Sequence, residues 1–238
     1  MIDIHAHILP GVDDGAKSME QSIEMIKKEI ADGVDAIILT PHIQSTVSKY
    51  EPSYNLEIFE NLKEEVKKLR LKIDLYLGAE TFYRSHIKTD FKSVAMGSSN
   101  YILVEFSPYR ETPIEEIVYD LTRMGFIPII AHVERYAYLG PEDFINIKKT
   151  GTLLQVNTLS VLGFDHKNVK KSIVQYLLKN QLIDFISTDT HNMDTRPPNM
   201  KDAYDELKKH HDEIYLNQIF DLNARKIINS MKHINESI

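Results

Sequence analysis

Residues 1–40 read MIDIHAHILPGVDDGAKSMEQSIEMIKKEIADGVDAIILT: a β-type run at Ile2–His5, a helical stretch at Lys17–Ala31 and a second β-type run at Val34–Thr40. Met19, Ile23, Ile26 and Ile30 recur at helical spacing, Ser18 with Gln21 has the form of a capping box, and Gly33 stands where a C′ glycine belongs. Strand, helix and strand in this order are the signature of β/α units around a parallel sheet. The pattern continues. Further β-type runs lie at Lys72–Gly78, Tyr101–Phe106, Phe126–Ala131, Thr152–Asn157 and Ile183–Ser187, giving seven. Between them helices are expected at Asn55–Arg70, Thr112–Met124, Pro141–Lys149 and His166–Asn180, with two more after Lys201. No Gly/Ser/Pro-rich linker or internal repeat divides residues 1–238, so a single α/β domain is expected, built as a closed or nearly closed (β/α) barrel. An open doubly wound sheet ranks second, because the G-x-G-x-x-G phosphate fingerprint is absent.

Composition narrows the chemistry. The 238 residues include no cysteine and ten histidines, which excludes disulfides, thiolate zinc sites and a thiolate nucleophile. The net charge of −7 argues against nucleic acid or anionic membrane as a general partner. No run of apolar residues is long enough to span a bilayer, and the first residues lack a secretory pattern, so a cytoplasmic chain is expected.

In either architecture ligands bind beyond the carboxyl ends of the strands. Those ends carry His5-Ala6-His7, Thr40-Pro41-His42, Gly78-Ala79-Glu80, Val104-Glu105-Phe106, Ala131-His132-Val133-Glu134-Arg135 and Ser187-Thr188-Asp189-Thr190-His191; only the sixth, near Asn157, lacks a strong metal-binding group. His86, His166, His210, His211 and His233 lie elsewhere. Any one of the five terminal histidines is as simply a buried core histidine. Five imidazoles and several carboxylates converging on one end of a sheet form an expensive pocket unless cations compensate them. His nitrogen with Asp and Glu oxygen suits zinc, manganese, iron or similar ions, and eight or more candidate ligands suit two or three of them. The Asp13-Asp14 pair before Gly15 adds carboxylates, although an Asp-Gly turn explains it too.

These motifs, in this order, resemble the PHP (polymerase and histidinol phosphatase) superfamily, and within it the bacterial manganese-dependent protein-tyrosine phosphatases of capsular and exopolysaccharide operons, the CpsB/YwqE type. The resemblance spans nearly the whole chain. It implies a distorted (β/α)7 barrel holding three divalent metal ions, with manganese expected and iron, cobalt or zinc as alternatives. It further implies that His5, His7, Glu80 and Asp189 hold one ion, that Glu80 bridges to a second completed by Glu105 and His132, and that Asp14, His42 and His191 hold the third. Asp14 is preferred to Asp13 because the motif places its ligand on the second Asp before the glycine.

Water activated between two dications would give a hydroxide nucleophile near neutral pH, as a chain without cysteine requires. Arg135 and Arg196 are candidates to grip the phosphate, with surface ion pairs as the plain alternative and Arg110 a weaker candidate. His42 or Asp189 could assist the leaving group. Tyrosine specificity is implied by the resemblance alone, as is the expected partner, the tyrosine-rich tail of a membrane-anchored bacterial tyrosine kinase. Phe82-Tyr83-Arg84 and Tyr109-Arg110 are candidates to line an access groove. The competing functions are a histidinol-phosphate or other small-molecule phosphatase and a non-catalytic metal-binding subunit.

Overall fold

The computed structural model describes residues 1–49, 52–164, 169 and 171–235, with side chains to residue 231. Strand β1 (Ile2–Ala6) pairs in parallel with β2 (Ala36–Leu39), and β2 with β4 (Asp74–Leu77). A second parallel sheet runs in the order β3 (His42–Ile43), β5 (Glu80–Phe82), β6 (Tyr101–Glu105), β7 (Ile127–Ile130), β8 (Leu153–Asn157) and β9 (Phe185–Ser187). Beyond β9 the chain returns to β1: Asp189 N donates to His5 O at 2.8 Å and His7 N to Thr190 O at 2.9 Å. The sheet therefore closes into a barrel of seven staves.

Two staves continue past a break. The run at Val34–Thr40 holds β2 and the run at Lys72–Gly78 holds β4, while β3 and β5 lie beyond the ends of those runs and were not expected. The first break falls at Thr40-Pro41, where proline has no N–H to give a neighbouring strand. Both staves step over two residues at the same level, so Leu39 faces Leu77 below the break and His42 faces Glu80 above it. Gly78 N to Leu39 O (2.8 Å) and Glu80 N to Pro41 O (3.1 Å) carry the register across. The break sets His42 and Glu80 side by side on short segments of their own.

Helix α1 (Met19–Ala31) is the helix read from the sequence. The Ser18 side chain accepts from Gln21 N, but the return bond of Gln21 goes to Lys17 N, one residue earlier than a capping box requires. Gly33 follows with φ +84°. Helices α2 (Pro52–Lys68), α3 (Ile114–Arg123) and α4 (Pro141–Lys149) also match expected helices. The short α5 (Thr158–Leu162) at the end of the sixth stave was not foreseen. The helix expected at His166–Asn180 is α6 (Lys171–Lys179); its first part and His166 lie in or next to residues outside those described. After α7 (Met200–Leu207), α8 (Glu213–Asn217) runs through a π-helical turn at Gln218–Leu222 into α9 (Asn223–Asn235), three helices where two were expected.

Outward strand residues such as Ile37, Leu39, Val104, Ile130, Leu154 and Ile186 bury the apolar stripes of the outer helices. Inward residues Ile2, Ile4, Ile38, Leu103, Ile129 and Phe185 pack instead with Ala224, Ile227, Ile228 and Met231 of α9. Asn223 Nδ2 donates to Asp184 O and Ser98 Oγ to Met231 O, both just before strands begin, so α9 closes the amino end of the barrel. The carboxyl end is left to the ionisable residues.

Candidate metal centre

Strand β1 delivers two histidines inward through a β-bulge. Asp3 is opposite Ile37 and Ala6 opposite Leu39, three steps on β1 against two on β2. Ile4 therefore packs in the barrel interior and Ala6 in the outer layer, while His5 and His7 both turn inward. The Asp3 carboxylate holds this irregularity: Oδ1 accepts from His5 N (3.1 Å) and Oδ2 from Thr188 Oγ (2.5 Å). Ser187 Oγ accepts from Ile4 N at 3.3 Å. Behind Asp3 lies Glu29 of α1, which burial, with Asp3 and Asp32 nearby, holds well above the usual carboxylate range.

Hydrogen bonds at the rear of three imidazoles fix where their lone pairs point. Gln155 Oε1 accepts from the His132 backbone N–H at 2.7 Å, so it is the amide oxygen, and His5 Nδ1, 3.1 Å away, is its second donor. His7 Nδ1 donates to Asp13 Oδ2 (2.9 Å), and His191 Nδ1 to the carbonyl of Asp189 (2.9 Å). With Nδ1 so committed, each of the three, when neutral, presents the lone pair of Nε2 to the site, the arrangement of metal-ligating histidines. His5 and His7 Nε2 are 3.2 Å apart, Glu80 oxygens lie 3.4 and 3.2 Å from them, and Asp189 Oδ1 is 3.5 Å from each.

Around this centre lie two further groups. His132 Nε2 is 2.8 Å from Glu80 Oε1 and 3.7 Å from Glu105 Oε1. Asp14 Oδ1 is 3.5 Å from His42 Nε2 and 3.4 Å from His191 Nε2. His7 belongs to this last group as well, and His42 is also within ligand distance of Glu80 and Glu105, two associations the sequence did not suggest. All nine residues singled out as metal ligands meet in one place.

Asp13 and Asp14 separate by environment. Asp13 is buried and accepts from His7 Nδ1, His42 N (3.0 Å) and Gly15 N (2.9 Å), so its oxygens are occupied in orienting histidines. Asp14 is turned into the site. A Cβ on Gly15 would stand 2.2 Å from His7 O, so only glycine lets this loop fold back so closely. His132 (φ +34°) and Asp189 (φ +52°) are both left-handed, a conformation costly for such residues and concentrated at functional sites.

The electrostatics of the site suit cations. Burial lowers the basicity of His5, but Glu80 and Asp189 outweigh it and raise it to about 9; Glu80, Glu105 and Asp13 likewise raise His42 to about 10. Burial, with Glu80 beside it, pushes Glu105 up to about 8. Burial and neighbouring cations lower His132 and His191 to about 4. His42 Nδ1 and Glu80 Oε2 approach to 2.8 Å, yet both are buried without a hydrogen bond of usable angle, as are His132 Nδ1 and His191 Nε2. His42 Nδ1, Glu80 Oε2 and His191 Nε2, buried in the cluster without a hydrogen bond, fit a set of metal ions.

Arg135 and Arg196 are not surface ion pairs: their guanidinium groups lie 3.1 and 2.5 Å from Asp189 Oδ2, which also accepts from Asn157 Nδ2 at 2.8 Å. Gln155, in turn, donates to Asn157 Oδ1. The sixth stave thus contributes two orienting residues, legible in hindsight as polar side chains two apart in the apolar run LLQVN. Glu134 faces away, accepting from Asn157 N and Ser160 Oγ. Phe82 and Tyr109 line a cleft beside Arg135; Arg84 instead stacks on Phe82 and donates to Gln44 O, and Arg110 has no place in the cluster.

A parallel barrel with carboxylates and imidazoles at its carboxyl end defines a metal-dependent hydrolase. Residues 1–229 match the family model described as capsular polysaccharide synthesis, CpsB/CapC, and the chain belongs to that family. It is 33% identical over 216 residues to the tyrosine-protein phosphatase YwqE of Bacillus subtilis, covering 88% of this chain and 84% of that protein. With the tyrosine-protein phosphatase CpsB of Streptococcus pneumoniae it shares 32% identity over 241 residues, 96% of this chain and 98% of the other. Among solved structures, one from a study of YwqE from B. subtilis and CpsB from S. pneumoniae, described as unique metal-dependent tyrosine phosphatases, superposes with TM-score 0.83 at 30% identity, covering 98% of this chain and 94% of that one. An organophosphorus hydrolase from Deinococcus radiodurans, at 12% identity and TM-score 0.59, shares the barrel fold.

Proposed function

We propose that this chain is a metal-dependent phosphomonoesterase acting on phosphotyrosine in protein, and that residues 1–238 work as one PHP-type phosphatase domain. The observation that carries this reading is the inward convergence of the His5, His7 and His191 Nε2 atoms, each with its Nδ1 proton committed elsewhere, upon Glu80, Asp14 and Asp189. His5, His7, Glu80 and Asp189 would hold one ion, Glu80, Glu105 and His132 a second, and Asp14, His42 and His191 a third. Manganese suits this mixed nitrogen and oxygen set, with iron, cobalt or zinc as alternatives. Bound ions supply Lewis acidity, activating water and neutralising charge on the phosphoryl oxygens.

The protein's own groups do the rest. Arg135 and Arg196, brought to one edge of the site by Asp189, are positioned to exchange that carboxylate oxygen for phosphate oxygens. The Gln155–Asn157 ladder keeps His5 and Asp189 in fixed orientation as this happens. His42, at the rim and 11% exposed, would assist a departing group only where an ion does not fully engage it, and tyrosyl oxygen, a fair leaving group, needs little such help. With three dications bound, the four ligand carboxylates and two arginines would leave the site cationic and suited to a phosphate dianion. The names of the relatives support a phosphotyrosyl protein of a capsule-synthesis system as substrate, and we take the tail of a membrane-anchored tyrosine kinase, met in the cytoplasm, as its form. No helix among the described residues is long and apolar enough to cross a membrane.

The test is hydrolysis of a phosphotyrosyl peptide alongside elemental analysis. Chelation should abolish turnover and manganese restore it better than magnesium; His5→Ala or His191→Ala should lower the ion content and reduce kcat by at least about 100-fold. Turnover undiminished after the ions are removed would refute the reading. A strong preference for histidinol phosphate would replace the substrate, and metal-replete protein inert toward every phosphomonoester would leave a metal-binding subunit.

A further inference from the structure

A cleft of about 360 Å³ opens off the site, with Glu105, His132 and Arg135 at its inner end. Its outer walls are Phe82, Ser107, Pro108, Tyr109, Tyr136 and Val169. Apart from the Tyr109 hydroxyl, the side-chain polar atoms of these walls are already engaged. Tyr136 is fully buried and its hydroxyl donates to Ala131 O (3.1 Å) while accepting from Phe106 N (3.0 Å), so the cleft meets its ring. Ser107 Oγ accepts from Tyr109 N (3.3 Å), and the Ser107 carbonyl accepts from Tyr138 Oη (3.2 Å). Arg84 stacks against Phe82 at 5.2 Å. The walls are thus held in place and offer little to a hydroxylated or ammonium-bearing group. Tyr109, by contrast, is 83% exposed at the mouth.

We infer that this cleft seats the aromatic ring of an aryl phosphate, with Tyr109 and Phe82 as the residues that favour phosphotyrosine over phosphoserine. The inference rests on the phosphatase reading and deepens it. With the phosphoryl group between the metal ligands and Arg135, a phenyl ring bonded to its ester oxygen extends into the apolar half of the cleft and covers Tyr109. An alkyl ester has no ring to place there. Aromatic faces prefer offset or edge-on partners, and the walls supply rings fixed in advance, so little ordering remains to be done on binding. A sugar phosphate or histidinol phosphate would bring polar groups against walls whose partners are taken.

The manganese-loaded protein should be assayed on phosphotyrosyl and phosphoseryl peptides of otherwise identical sequence, with Tyr109→Ala, Phe82→Ala, Tyr109→Phe and, as a control, Tyr119→Ala on the outside of α3. Calorimetry with phenylphosphonate and methylphosphonate gives a second readout independent of turnover. Expected is a fall of about tenfold in the phosphotyrosine-to-phosphoserine ratio of kcat/KM for Tyr109→Ala and Phe82→Ala, matched by a loss of the phenylphosphonate preference. Tyr109→Phe restores the ratio, and Tyr119→Ala leaves it at the wild-type value. Equal losses on both peptides, or an unmoved ratio, would overturn the inference while leaving the phosphatase intact. Wild-type protein that hydrolyses neither peptide but still prefers phenylphosphonate would overturn the phosphatase reading and leave the aryl site standing.

Discussion

The protonation state of single residues governs how ions enter. His5, raised to about 9, His42, raised to about 10, and Glu105, raised to about 8, carry protons at pH 7 when no ion competes. Loading must displace these protons, so affinity for manganese should rise with pH between 6 and 9. Titration calorimetry in buffers of different ionisation enthalpy should show more than one proton released at pH 7; none released would contradict the assignment. In chelated protein the sign of the stability change follows. His5 and His42 are raised above their ordinary 6.5, so their pairing with carboxylates is fully present below pH 6.5 and lost as pH rises through about 9 and 10. Glu105 acts in the same direction, being most at home when neutral. Melting temperature of the chelated form should therefore fall from pH 6.5 to 10, and the metal-loaded form should resist that fall.

Loops and strand ends turn these residues into a site, and the least tolerant is the loop from His7 to Ala16. Ala16 N donates to His7 O at 3.0 Å, which presses Gly15 onto the His7 backbone. Gly15→Ala should push the loop outward, taking Asp13 from His7 and Asp14 from His42 and His191. We expect loss of about one ion per chain and at least a tenfold drop in kcat/KM, with the circular dichroism of the barrel unchanged. The same loop marks the limit of what the sequence reveals. His5, His7, His42, Glu80, Glu105, His132, Asp189 and His191 were legible because strand ends are readable from apolar runs, and ligands gather at strand ends. The two Asp residues differ only in which way each faces, and that is set by contacts with His7 and Gly15 that no local pattern encodes. Likewise Gln155 and Asn157 read as ordinary polar positions until β8 is known to face the site. The continuations at His42–Ile43 and Glu80–Phe82 are not legible because two or three residues are too short to show a strand's alternation.

Across the whole molecule, the two ends of the barrel are assigned different work. Helix α9 fills the amino end with Ile227, Ile228 and Met231, far from the ligands. Ile227 is fully buried, so Ile227→Ala should cost about 2–5 kcal/mol and lower Tm by roughly 5–15 °C, while the folded variant keeps its ion content and kcat. A comparable loss of ions would mean that the two ends are coupled. They meet at the extra residue in β1. Below it the strand runs in step with its neighbours and shows them aliphatic side chains; above it the strand runs half a period out of step and shows them imidazoles. That slip is a phase boundary between a dry half-barrel and a wet one. A strand that kept every residue but lacked the slip would alternate evenly from Ile2 and turn His5 and His7 to the outside, without altering either side chain.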